Sequence, residues 1–334
     1  METDKQYNIM ISTQTTYMGL KLKSPVIVSS SGLTSSVDNM ALYEAAGAGA
    51  VVIKSIFEEQ ICGEVSAAVA AEDYPEAADY LNSYISNNDL EKHLDIVRTA
   101  KKRLGIPVIA SINAKSGGGW LSYASRMAEA GADALELNIF YMPQSASESA
   151  AVIERRYLDT AAEVIASTGL PVAVKIPNRF TNPLNIAQEL YNRGAKAVVM
   201  FNRMWEPDID INTMTIGSTD ILSDRTEMRT LLRWIAMTAG AVDAIDLAAS
   251  TGIDGGDALV KVLLSGASAA CVCSAIYKGG DKVIAGMLET LRGWMERNNY
   301  TEIGQFKGRM AHKPTDEDSL YERAQFMKYF SSYR

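Results

Sequence analysis

Gly47-Ala48-Gly49-Ala50, Gly131-Ala132-Asp133-Ala134, Gly194-Ala195-Lys196-Ala197 and Gly266-Ala267-Ser268-Ala269 repeat one phrase, Gly-Ala-x-Ala, and each copy runs into an apolar stretch. Self-similarity of this kind marks a repeated supersecondary unit. Glycine just past a helix supplies a left-handed cap, and the small alanines let the next strand pack close beneath it. The runs that follow, such as Val51-Val52-Ile53 and Ala197-Val198-Val199-Met200, are continuously apolar, as strands buried on both faces should be.

Working outward, a second phrase opens strands: Pro25-Val26-Ile27, Pro107-Val108-Ile109 and Pro171-Val172-Ala173. Proline is tolerated at a strand's first residue, where its missing N–H breaks no ladder bond. From each proline to the next Gly-Ala the distance is 22, 24 and 23 residues, the length of a strand, a loop and one helix. Strands are therefore expected near 25–30, 50–54, 107–112, 134–139, 171–176, 197–202 and 269–274, with a seventh in 242–249. Amphipathic stretches such as Asn185–Arg193 and Asp257–Leu264 supply the crossovers. Eight βα units predict an α/β chain folded as a (β/α)8 TIM barrel, with residues 1–334 as one domain. The competing doubly wound sheet lacks its Gly-x-Gly-x-x-Gly fingerprint after the first strand. Two long loops, 56–89 after strand 2 and 203–223 after strand 6, leave the C-terminal rim, and each reads equally as a lid or as a dimer contact or variable insertion.

The 334 residues suffice for a large core, and the formal charge of -8 argues against a nucleic-acid partner. No apolar run approaches the ~20 residues needed to cross a bilayer, and Met1–Met10 is too polar for a signal peptide or membrane anchor. Three cysteines make no disulfide framework, so cytoplasm is the expected compartment. Cys271 and Cys273 read as small barrel-core residues, and Trp234, Met237, Trp294 and Met295 as helix packing. The two histidines, His93 and His312, sit in no metal or triad motif and read as surface or helix-face residues, so no metal is expected.

The expected strand ends carry polar residues: Ser29, Ser30 and Ser31; Lys54 and Ser55; Asn113; Asn138; Lys175; Asn202; Ser250 and Thr251. A buried ammonium is costly unless it has partners. Two lysines and three asparagines converging on one rim suggest a planar, hydrogen-bonding, electron-accepting ligand. Ser250-Thr251-Gly252-Ile253-Asp254-Gly255-Gly256 opens a helix after strand 7, and Cys273-Ser274 follows strand 8. Backbone N–H groups at that position of a barrel favour a phosphate.

With these residues the chain resembles the dihydroorotate dehydrogenase family, nearly end to end. The resemblance lies in Ser24-Pro25-Val26-Ile27-Val28-Ser29-Ser30-Ser31-Gly32, Lys54-Ser55, Glu136-Leu137-Asn138, Val174-Lys175-Ile176-Pro177 and Asn202. It continues through Ser250-Thr251-Gly252-Ile253, Leu263-Leu264-Ser265-Gly266-Ala267 and the tail Ile303-Gly304-Gln305-Phe306-Lys307-Gly308, which resembles that family's closing helix. The resemblance implies FMN as cofactor, held by Ser30, Ser31, Lys54, Ser55, Asn113, Asn138, Lys175, Asn202, Ser250, Thr251, Gly252, Cys273 and Ser274. Lys175 would stabilise charge developing on the ring; Lys54, Asn87 and Asn202 would meet the substrate, with Lys54 spanning flavin and substrate carboxylate. It further implies a soluble electron acceptor and a homodimer.

Where the family places Ser-Cys-Pro-Asn, its cysteine acting as base, this chain reads Ile139-Phe140-Tyr141-Met142-Pro143-Gln144. Tyr141 is the nearest ionisable group and the candidate base, although a phenol of pKa ~10 needs help at neutral pH. The family's Gly-Asn-Pro-x-Pro-Arg stretch after strand 2 is also missing. The expected function is an FMN oxidoreductase converting dihydroorotate to orotate. Alternatives are a related flavoprotein acting on another small cyclic or unsaturated substrate, a Schiff-base lyase using Lys175 or Lys54, and a flavin-binding protein without turnover.

Overall fold

A computed structural model of the chain describes residues 11–57, 90–113, 117–204, 206–218, 220–312 and 321. In chain order its strands are β1 (Thr15–Tyr17), β2 (Leu20–Leu22), β3 (Val26–Val28), β4 (Ala50–Val52), β5 (Ile56–Phe57), β6 (Val108–Asn113), β7 (Ala134–Asn138) and β8 (Val172–Pro177). They are followed by β9 (Ala197–Asn202), β10 (Pro207–Asp210), β11 (Thr215–Ser218), β12 (Asp246–Ser250) and β13 (Ala269–Val272). Eight of them, β3, β4, β6, β7, β8, β9, β12 and β13, pair in parallel, and the β13–β3 and β4–β6 pairings close the ring. The chain is a (β/α)8 barrel.

Between the strands run α1 (Val37–Ala45), α2 (90–103), α3 (Gly117–Glu129), α4 (Ala150–Ser167), α5 (Pro183–Asn192), α6 (Met228–Ala241) and α7 (Gly256–Leu264). Two more, α8 (Ser274–Gly279) and α9 (Lys282–Arg297), follow β13. The repeat's glycines behave as caps: Gly47 and Gly266 have φ of 108° and 114°, and Gly131 and Gly194 share the left-handed region.

The repeat's alanines do more than ease packing. Ala50, Ala134, Ala197 and Ala269, with Ala173 and Ala248, form one buried cluster with Tyr17, Met18 and Leu22 of the β1–β2 hairpin. Ile27, Val52, Ile109 and Val199 belong to the same cluster, and the six small alanines beside them leave room that the hairpin's side chains fill. A tight Met18-Gly19 turn with both φ positive joins the two strands, as right-handed strand twist favours. Asp246 anchors the plug: Oδ2 accepts from Met18 N–H at 2.8 Å and Oδ1 from Ser268 Oγ at 2.6 Å.

Three expectations need correction. The seventh strand begins at Asp246, because α6 runs to Ala241 and Val242 N–H still caps back onto the Thr238 carbonyl. The second strand breaks after Val52 and resumes as β5, so Lys54 and Ser55 sit in an irregular step. The Ile303–Gln305 segment is a single 3-10 turn, not a closing helix. His93 lies on the face of α2, half-buried, with its Nε2 buried and without a hydrogen-bond partner among the described residues. Trp234, Trp294 and Met295 pack against the core as expected.

Candidate functional site

The C-terminal strand ends carry a cavity of about 560 Å³. Its walls bring together Ser29, Ser30, Ser31, Lys175, Asn202, Ser250, Thr251, Gly252, Cys273 and Ser274. All of them were named from the sequence, and five different strand ends deliver them. That convergence is what a closed barrel does to the C-terminal ends of its strands.

Lys175 lies at the floor. Its side chain is 8% exposed, Nζ donates to Ser29 Oγ at 3.5 Å, and Glu136 Oε1 is 3.9 Å away. The two residues come from adjacent strands, β7 and β8, whose register also pairs Asn138 with Lys175. Asn138 Oδ1 accepts from Asn202 Nδ2 at 2.9 Å, which ties β7 to β9 across the Lys175 position. Burial pushes the Glu136 carboxyl up, and the Lys175 ammonium works against that rise. Cys271, on the same interior face, is pushed up to about 12 by burial first and the Glu136 charge second, so its thiol stays neutral.

On the neighbouring side the break in the second strand builds a chain of hydroxyls. Ser55 N–H donates to Ser30 Oγ at 2.8 Å; Ser30 and Ser55 Oγ are 2.9 Å apart, and Ser55 and Ser111 Oγ 2.7 Å. Ser31 caps the Gly32–Thr34 turn, its Oγ accepting from Leu33 N–H. Asn113 is buried at the end of β6. Lys54 is half-buried, and its charge reaches His93, whose imidazole is pushed down to about 4 by burial and, secondarily, by that lysine. Asn87 lies outside the described residues, as does all of the 56–89 loop beyond Phe57.

At the opposite end, α7 and α8 begin just beyond Ser250-Thr251-Gly252 and Cys273. Thr251 holds a left-handed φ of 88° and donates to the Phe201 carbonyl at 3.1 Å. Ser223, which the sequence reading passed over, joins these two turns. Its N–H donates to Ser274 Oγ at 2.9 Å, and its Oγ accepts from Gly252 N–H at 3.3 Å. Arg203 was also missed; it lines the cavity and braces the strand-6 loop by donating to the Asp220 and Ile221 carbonyls. Its position directly after Asn202 was the available signal. That loop carries the β10–β11 hairpin, with Ile209, Ile211, Met214 and Ile216 exposed.

Tyr141 is not part of this wall. It lines an adjacent cavity of about 180 Å³ with Ile153, Tyr157, Pro177, Phe180 and Met204. Its hydroxyl donates to Glu148 at 2.8–2.9 Å, Glu148 pairs with Arg156 at 2.8 Å, and the Arg156 guanidinium lies 4.7 Å over the Tyr141 ring.

Comparison with known proteins agrees with this geometry. A family profile described as dihydroorotate dehydrogenase matches residues 12–295. The catalytic subunit of dihydroorotate dehydrogenase B (NAD(+)) from Methanosarcina acetivorans is 27% identical over 297 residues, covering 87% of this chain and 93% of that protein. The corresponding subunits from Thermoplasma acidophilum and Bacillus cytotoxicus are 26% and 24% identical, covering 90% and 87% of this chain and 99% and 94% of theirs. With a matching profile over most of its length and a closed barrel beneath it, the chain belongs to the dihydroorotate dehydrogenase family, a family of oxidoreductases acting on CH–CH groups.

Proposed function

We propose that the chain binds FMN in the rim cavity and oxidises dihydroorotate to orotate. The observation that carries this reading is the cavity floor: a buried ammonium flanked by an asparagine pair, with hydroxyl-rich turns and two helix starts at the other end. Such a donor set suits a flat ring joined to a phosphate, and about 560 Å³ is within the usual range of ligand sites. FMN, when bound, supplies the hydride acceptor.

In this reading Lys175 offers positive charge to the ring, and Asn113, Asn138 and Asn202 donate to it. Ser30, Ser31, Lys54 and Ser55 border the ring, and Ser250, Thr251, Gly252, Cys273 and Ser274 hold the phosphate. Lys54, Asn87 and Asn202 receive the substrate, and Tyr141 takes its proton. For that last role Tyr141 must release Glu148, to which its hydroxyl is bonded in the structure. The same bond favours a second reading, an FMN oxidoreductase acting on a different small cyclic or unsaturated substrate. The exposed apolar hairpin supports a homodimer. The free thiols Cys271 and Cys273 support a reducing, cytoplasmic location and an acceptor in that compartment.

The test is a visible spectrum of the purified protein supplied with FMN, followed by anaerobic addition of dihydroorotate. The expected result is a retained flavin band that bleaches. A retained band that does not bleach transfers support to the second reading, and failure to retain FMN overturns both.

A further inference from the structure

A lysine inside a barrel whose interior also holds Ile27, Val52, Ile109, Val199 and six alanines needs a counter-charge, because an unpaired buried ammonium gives up its proton instead. Among the described residues, the ionisable groups near Lys175 are Glu136, Cys271 and Cys273, with Tyr17 and Asp246 beyond; the Cys273 thiol is raised by burial. Ser29 Oγ, at 3.5 Å, is neutral. From the hairpin below, Tyr17 is raised well above the ordinary phenol value by burial; from β13, Cys271 is raised likewise to about 12. Both are neutral at physiological pH. Asp246, beyond Tyr17, is committed to Met18 N–H and Ser268 Oγ. Glu136 remains, its side chain 3% exposed and its Oε1 3.9 Å from Lys175 Nζ with no hydrogen-bond partner among the described residues. A buried carboxylate oxygen left without a hydrogen bond calls for an explanation, and the facing ammonium supplies it.

We propose that Glu136 is a positioning residue of the site: its carboxylate keeps Lys175 protonated inside the barrel, and through Lys175 it sets the positive charge offered to the ligand above. At 3.9 Å the pair attracts without a direct hydrogen bond, so the ammonium keeps donors free for the cavity. This assignment rests on the flavin reading for what lies above Lys175, but the Glu136–Lys175 coupling exists without any ligand.

The test begins on flavin-free protein. Acetic anhydride acetylates neutral amines, and the labelling of Lys175 is read by mass spectrometry against the exposed Lys196 of the same chain. Glu136→Gln should raise the Lys175:Lys196 ratio on the order of tenfold, the effect of removing one opposite charge at this distance. Glu136→Asp, which keeps the charge, should restore the low ratio; an equal rise in both variants marks loosened packing and overturns the proposal, as does no rise in Glu136→Gln. The second readout is the pH slope of the two-electron midpoint of the FMN-loaded protein, with dithionite as the electron donor. Wild type should take up one proton per two electrons, onto the ring. Glu136→Gln should begin to take up a second proton, passing from water to Lys175 Nζ, about one pH unit lower than wild type does, and an unmoved break in the slope overturns the assignment. If wild type binds no FMN, the flavin reading falls while the labelling ratio still decides the role of Glu136.

Discussion

The hairpins β1–β2 and β10–β11 are each a short two-stranded antiparallel ribbon, and they sit at opposite ends of the barrel in opposite surroundings. In the first, Tyr17 is 1% exposed and packs among the alanines of the lower barrel. In the second, Met214 is 86% exposed, and Ile209 and Ile216, paired across the strands, stand in solvent. An isolated hairpin is at best marginally stable in water, so each needs a surface to lie on. The lower hairpin finds that surface inside its own chain. The upper one leaves its apolar side to be covered by a second copy, on the reading proposed above. The contrast separates an end that supplies stability from one that supplies chemistry and contact.

Four changes sharpen or break this contrast. The largest effect belongs to the rim: Lys175→Met should slow flavin reduction by about 10³-fold, ~4 kcal/mol of lost electrostatic stabilisation, and should also destabilise the fold by leaving Glu136 without its counter-charge. Stopped-flow absorbance measures it, and a loss under tenfold removes Lys175 from the centre of the site. At the lower end, Tyr17→Ala should cost ~3–5 kcal/mol in urea unfolding, as for other large aromatic truncations. FMN affinity in that variant should stay within a factor of two or three, and a collapse of binding would erase the division between the ends.

The third change concerns pH. The His93 imidazole is lowered to about 4 in the folded chain, by burial first and the Lys54 charge second. Its unfolded value is ~6.5, so acid protonates the unfolded chain first. Stability is full above ~6.5 and declines as pH falls toward 4, by up to about 3 kcal/mol. His93→Gln should flatten this limb in denaturant titrations at pH 7 and pH 4.5; an unchanged slope would place the acid sensitivity elsewhere. The smallest stability effect is at the upper hairpin. Ile216→Asp should alter unfolding by under ~0.5 kcal/mol, since its side chain touches little. Sedimentation should nevertheless show dimer converting to monomer, and an unaltered association state would end the dimer reading.

The repeat made the barrel legible because cap glycines and strand-opening prolines are local backbone requirements. The rim residues followed, since each lies directly after a strand whose position the repeat sets. Legibility failed where three-dimensional neighbours decide. Thr15–Tyr17 and Leu20–Leu22 are too short to show a period, and they are strands because the alanine-lined barrel has room for Tyr17 and Met18. Ser223 looks like any loop serine until the turns after β12 and β13 close on it. Tyr141 was readable as the ionisable group nearest the expected base, but its attachment to Glu148 and Arg156 depends on how α4 returns over the rim.

The linked hydroxyls of Ser30, Ser55 and Ser111 have a consequence of their own. Each of their two oxygen–oxygen contacts can be bridged by a proton from either side. Rotating three O–H bonds together reverses the direction of the whole row while every heavy atom stays where it is. Ser30, at the cavity end, then turns from a donor into an acceptor. A rigid wall built this way can match a ligand in two electronic states with one shape, changing only which way its protons face.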